Sequence, residues 1–107
     1  MIHEVRFASR ELEKEYESLK DTDPVLHKAI TKVINKLKIN RRAGQKIPTD
    51  HVSKRYVSLY GTKHFWKIKL NREWRLIYTI AGDRIRILTI ILSWYTDHKK
   101  YIKEVYK

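Results

Sequence analysis

His64-Phe65-Trp66-Lys67-Ile68-Lys69-Leu70, Trp74-Arg75-Leu76-Ile77-Tyr78-Thr79-Ile80 and Ile85-Arg86-Ile87-Leu88-Thr89-Ile90-Ile91-Leu92 decide how this chain folds. Each run is rich in β-branched and aromatic residues. Short polar turns separate them, Asn71-Arg72-Glu73 and then Ala81-Gly82-Asp83-Arg84. Connections this short predict an antiparallel meander. Side chains alternate along a strand, so Trp66, Ile68 and Leu70 share one face while Phe65, Lys67 and Lys69 share the other. In the second run Trp74, Leu76, Tyr78 and Ile80 are one set and Arg75, Ile77 and Thr79 the other. Keeping both apolar sets on one face places Leu70 opposite Trp74 and Lys69 opposite Arg75, because a slip of one residue buries the lysines. Lys67, Lys69 and Arg75 then cluster on the face away from the core. Like charges opposite one another in a sheet cost a few tenths to about 1 kcal/mol, so a negative group is expected among them. Two sources fit: Asp97 or Glu104 of the C-terminal segment, or a phosphate, for which Arg supplies a bidentate fork and Lys a point charge.

Upstream of the meander, residues 2–7 read as a short strand. Ser9 suits the N-cap of a helix with Glu11 and Glu13 in its first turn and Leu12, Tyr16 and Leu19 at helical spacing. Asp23 suits a second N-cap and Pro24 the first helical position, where its missing N–H is no loss. That helix runs to about Asn40, with Leu26, Ile30, Val33 and Leu37 stepping by four, three and four. Lys28, Lys32, Lys36 and Lys38 lie off this stripe and read as a solvated ridge. Gln45 to Ser53 read as a polar loop, and residues 56–60 as a short strand or extended loop. Residues 97–107 are polar and suit a closing helix. The expected architecture is α+β: an N-terminal strand, a helical hairpin on one sheet face, an antiparallel three- to four-stranded meander and a short C-terminal helix. Residues 1–107 are expected to form a single domain.

The 107 residues hold 24 Lys+Arg against 12 Asp+Glu, a net charge of +12, and no cysteine. Cysteine's absence rules out a disulfide framework, a thiolate metal site and a thiol nucleophile. No apolar run approaches the ~20 residues of a transmembrane helix, and the N-terminus has no long apolar stretch of the signal-peptide kind. A small cytoplasmic domain that does not engage membrane is therefore expected. Residues 1–23 carry −3, residues 24–53 carry +6 and residues 54–107 carry +9. So polarised an excess points to a polyanionic partner, with nucleic acid the default.

Just beyond the last run stand Trp94, Tyr95, Asp97, His98, Lys99, Lys100 and Tyr101. Histidine changes charge nearest neutral pH, so His98 is a candidate general acid or base. Tyr95 or Tyr101 is a candidate platform for a stacked base, an interaction of roughly 1–3 kcal/mol in single-strand recognition. His3, His27, His51 and His64 show no metal-ligand spacing, and no glycine-rich phosphate loop or Ser/His/Asp arrangement is visible. No metal or other cofactor is expected.

Phe65-Trp66-Lys67-Ile68-Lys69-Leu70, Trp74-Arg75-Leu76-Ile77-Tyr78 and the His/Lys/Tyr-rich segment after the last strand together resemble the RelE/ParE superfamily, the toxin halves of type II toxin–antitoxin modules. The resemblance covers nearly the whole chain and is most specific over residues 65–101. Its RelE-like branch implies a ribosome-dependent mRNA endonuclease that inhibits translation by metal-independent attack of a 2′-hydroxyl on the adjacent phosphate. By that resemblance Arg75 stabilises charge on the scissile phosphate, Lys67 or Lys69 assists as cation or proton acceptor, and Tyr101 or His98 stacks or transfers a proton. RNA contacts are then expected from Lys54, Arg55, Phe65, Arg72, Tyr95, Lys99 and Lys100. One departure stands out: Trp94-Tyr95 occupies the place where RelE-like enzymes commonly carry a second arginine.

The expected partners are a cognate acidic antitoxin, the ribosome and mRNA. Two alternatives share the fold: a ParE-like inhibitor of DNA gyrase, and a non-catalytic relative that only binds RNA or antitoxin.

Overall fold

The structure, a computed structural model, describes residues 2–83 and 85–107, Ile2 by its backbone alone. Strand β1 (Ile2–Phe7) leads into helix α1 (Arg10–Thr22), and α2 (Pro24–Ile39) follows after one residue. The caps are those the sequence announces. Ser9 Oγ accepts from the Leu12 N–H at 3.1 Å, and Asp23 Oδ1 accepts from the Leu26 N–H at 3.2 Å, next to Pro24 at the first helical position. Each side-chain oxygen satisfies an N–H that the first helical turn otherwise leaves unpaired.

The segment read as a polar loop, residues 45–53, is more ordered than that. It holds a short strand β2 (Gln45–Ile47) and a 3-10 turn at Thr49–His51. Residues 56–60, read as strand or extended loop, belong instead to helix α3 (Lys54–Tyr60). Its ends explain the difference. Ser53 Oγ accepts from the Tyr56 N–H at 3.1 Å, and Gly61 closes the helix in the left-handed conformation that glycine adopts without strain.

The meander comprises β3 (Phe65–Asn71), β4 (Trp74–Gly82) and β5 (Arg86–Tyr95), and α4 (His98–Val105) closes the chain. Arg84, the end of the turn expected before β5, lies outside the described residues. Trp94 and Tyr95, placed by the sequence beyond the last strand, are its final two residues. The sheet order is β1-β5-β4-β3-β2, with β1 parallel to β5 and the other pairs antiparallel. Lys69 lies opposite Arg75 as the register argument required. Asn71, not Leu70, faces Trp74, because an irregularity between Lys69 and Asn71 takes Leu70 out of the ladder. At the far edge β2 pairs only with Phe65–Lys67. No strand among the described residues pairs with the outer edge of β3 from Ile68 to Asn71.

Each face of the sheet carries a core. Leu26, Ile30, Val33 and Leu37 of α2 pack on Ile68, Leu76, Tyr78 and Ile91. The opposite face, expected to stay free of core, packs Phe65, Ile77, Leu92 and Tyr95 against Val52, Tyr56, Tyr101 and Val105. The helical hairpin therefore covers one face, while α3 and α4 cover much of the other. Leu76 to Tyr78 are fully buried in a row, as befits a central strand enclosed on both sides. Among the described residues no helix is long and apolar enough to cross a membrane.

Candidate functional site

Beyond Lys67 the outer edge of β3 has no strand partner among the described residues, and a cleft opens along it. There Lys67, Lys69 and Arg75 line a cleft of about 410 Å³ together with Lys36, Ile68, Ala43, Gly44 and Gln45. Four of its lining residues are cations and none is an acid. Lys36 belongs to the ridge read as solvated. The packing of α2 against β3 brings it here, which periodicity alone cannot convey.

Two of the cations, Lys67 and Arg75, are held by hydrogen bonds. Lys67 Nζ donates to the Tyr106 hydroxyl at 3.1 Å and lies 5.6 Å from that ring's centroid. Arg75 Nη1 donates to the carbonyls of Arg72 at 2.9 Å and Trp74 at 3.0 Å. Arg72 adopts φ 48°, a left-handed conformation uncommon outside glycine, asparagine and aspartate. The guanidinium bond to its carbonyl helps fix that turn. Tyr106 was not foreseen as part of the site. It is placed by the chain terminus, where Ser53 N–H donates to the Val105 carbonyl at 2.8 Å and Lys107 N–H to that of His51 at 3.0 Å.

The two carboxylates weighed as neutralisers are engaged elsewhere. Asp97 caps α4, accepting from the N–H groups of Lys99 and Lys100 at 3.0 and 3.3 Å. Glu104 accepts from the Tyr95 hydroxyl at 2.9 Å and lies 4.0 Å from Lys100 Nζ. Among the described residues neither forms an ion pair with Lys67, Lys69 or Arg75. The like-charge pairing of Lys69 and Arg75 therefore has no ion-pair partner among the described residues.

His98 stands at the start of α4 with Nδ1 3.5 Å from Glu73 Oε2, and its ring centroid is 5.9 Å from that of Tyr101. The His98 and Glu73 side chains are half or more exposed and form no hydrogen bond, so this is a surface contact that leaves the imidazole open to solvent. Glu73 is a second unforeseen member; only the turn geometry brings it to His98.

Three aromatic expectations are corrected by burial. Phe65 is 0% exposed, enclosed by Tyr56 and Tyr60. Tyr95 and Tyr101 are 6% and 3% exposed and pack on one another at 5.7 Å. None presents a ring face on which a base can stack. Burial also pushes the Tyr95 phenol up to about 12 and raises that of Tyr101, whose hydroxyl is shared with Tyr106 at 2.9 Å. Neither is an acid–base group near neutral pH. Lys99, Lys100 and Arg72 are exposed and Lys54 and Arg55 open α3; none of the five lines the cleft, and of them Arg72 touches it through the carbonyl that Arg75 Nη1 bonds. No group of three or more His, Cys, Asp or Glu close enough to share a metal ion occurs among the described residues.

This arrangement of strand, helical hairpin, meander and closing helix is shared with a solved toxin structure. It is a YoeB/ParE toxin from Agrobacterium tumefaciens, which matches 88% of this chain and 96% of its own with a TM-score of 0.56. The two share 18% sequence identity, so the likeness establishes the fold. No family model matches the chain. No curated protein matches it either.

Proposed function

We propose that this protein is the toxin of a type II toxin–antitoxin module, acting in the cytoplasm as an endoribonuclease on message held in the ribosome. The observation that carries the reading is the acid-free cleft of Lys36, Lys67, Lys69 and Arg75, from which the contacts Lys67–Tyr106, Tyr106–Tyr101 and Tyr101–His98 lead to the imidazole. The cations hold the scissile phosphate, and His98 supplies the proton-transfer group. The RNA 2′-oxygen attacks the adjacent phosphorus as its proton passes to a base, and the bond to the 5′-oxygen breaks as that oxygen gains a proton. A 2′,3′-cyclic phosphate and a 5′-hydroxyl result. Arg75, fixed by two carbonyls, is aimed before the substrate arrives, and such preorganised charge is most effective where negative charge develops. With +12 on the chain, the cognate antitoxin is acidic and covers the basic surface.

The test is primer extension on message from translating ribosomes with added protein. Cuts are expected from the natural chain, and Arg75→Ala should cut about 100-fold less, as when one preorganised donor is removed. Absence of cuts, or equal cutting by the variant, overturns the reading.

Burial of Tyr95 and Tyr101 favours a second reading, a ParE-like toxin that inhibits DNA gyrase without cutting nucleic acid, since that role requires no stacking ring. Inhibition of supercoiling by protein that leaves message intact would establish it.

A further inference from the structure

On the other face of the sheet, where the end of α2 meets β3 and β4, a second cavity of about 640 Å³ opens. Its walls include Arg41, Arg42, Lys46, Trp66, Ile80 and Ile87. This volume falls within the roughly 300–1,000 Å³ of small-ligand sites. It shares no lining residue with the Lys67 cleft.

Three features converge in it. The first is unmatched charge: Arg41, Arg42 and Lys46 form no ion pair among the described residues. The one acid in the wall, Asp83, turns its Oδ1 to the N–H groups of Ile85 and Arg86 at 2.8 and 3.0 Å. The second is rigidity. The buried Tyr78 hydroxyl donates to the Arg41 carbonyl at 2.9 Å and accepts from the Gly44 N–H at 3.0 Å, which fixes the backbone that carries both arginines. The third is a planar wall, the indole of Trp66, backed by Tyr78 and with Lys46 lying over it. Trp66 is half-buried and lies parallel to Tyr78, with centroids 6.1 Å apart and planes at 16°, and Ile80 and Ile87 continue the wall. Lys46 Nζ sits 5.6 Å from the Trp66 centroid, a cation already drawn to the ring.

Guanidinium forks match phosphate, and an indole stacks on any nucleobase. We propose that this cavity binds a nucleoside monophosphate unit, its base against Trp66 and its phosphate between Arg41 and Arg42. The unit is either a free nucleotide or one residue of a single strand passing behind the sheet. An acidic peptide matches the charges but makes less use of the planar wall. The site is independent of any cleavage at the Lys67 cleft.

The test is a titration of the isotope-labelled full chain with AMP, UMP, a hexauridylate, inorganic phosphate and a Glu/Val peptide, read in the indole and backbone amide signals. The nucleotides should shift the Trp66 indole and the Arg41 and Arg42 amides, and Trp66→Leu should weaken them about tenfold. Arg42→Glu, an exposed change that leaves the packing intact, should weaken binding at least as much. Tighter binding of the hexauridylate than of UMP assigns the site to a strand, and equal binding assigns it to the free nucleotide. Phosphate binding as tight as AMP with no effect of Trp66→Leu, preferential binding of the peptide, or no shift at all overturns the proposal. Loss of the shifts in Arg75→Ala also overturns it, by moving the binding to the other cleft.

Discussion

Replacing Gly44 by alanine should destabilise the protein by about 3 kcal/mol, and the reason is local. A methyl group there would lie 2.6 Å from the Tyr78 hydroxyl oxygen and 2.7 Å from the Lys67 carbonyl oxygen. The first neighbour is the end of a buried side chain that holds the 41–44 segment through two hydrogen bonds. The second is backbone of β3 and has nowhere to move. Overpacking of this kind costs about 1–3 kcal/mol, and each displaced hydrogen bond adds a net ~0.5–1.5 kcal/mol. In a domain of this size 1 kcal/mol is about 4–8 °C, so melting followed by circular dichroism should fall by roughly 12–24 °C. The Tyr78→Phe background separates the two contacts. With the hydroxyl gone, Gly44→Ala still meets the Lys67 carbonyl but no longer meets Tyr78, so the double variant should lose about 1 kcal/mol less than the sum of the singles. A single Gly44→Ala cost below about 0.5 kcal/mol, or strict additivity in the cycle, would refute the claim that close approach fixes this loop.

Ser53→Ala removes both the α3 cap and the bond from Ser53 Oγ to the Glu104 carbonyl at 2.8 Å, so about 1–2 kcal/mol of stability should be lost in urea unfolding. Because Tyr106 is placed by the same segment, Tyr106→Phe should free Lys67 Nζ and cost about 1 kcal/mol; an unchanged urea midpoint would show that the contact contributes nothing. Burial raises the phenols of Tyr56, Tyr78, Tyr95 and Tyr101, with Tyr95 reaching about 12. A raised folded value means the unfolded state ionises first, so stability is full below pH 10 and falls as pH rises from about 10 to 12. Of the seven tyrosines, these four should gain tyrosinate absorbance only together with loss of the far-ultraviolet dichroism. Their ionisation in the still-folded protein would contradict the burial argument.

Elements with a long period or a clear cap were legible in the residues alone. The Leu26, Ile30, Val33, Leu37 stripe, the Ser9 and Asp23 caps and the Lys69–Arg75 register all stand as read. α3 was misread because seven residues give less than two helical turns, and Tyr56, Val57 and Tyr60 carry strand preference. Its flanks, Ser53 and Gly61, were the signal to weigh. The second core was hidden in the same way: Phe65 and Ile77 alternate with cations, and the charged neighbours dominated the reading of that face. The cation cluster came from register, which a sequence can specify. Lys36 and Tyr106 join it through helix packing and a chain end, neither of which has a period.

The uncovered length of β3 from Ile68 to Asn71 has a bearing on how copies of this chain behave in solution. A bare strand edge is a template for a second copy, and natural sheets guard such edges with charge. Here Lys36, Lys67 and Lys69 surround the edge, so two copies meeting there bring like charges together. That repulsion is screened within about 10 Å at 0.1 M salt and within about 3 Å at 1 M. Dilute buffer, and not concentrated salt, is therefore the condition in which the same lysines best keep the chain monodisperse.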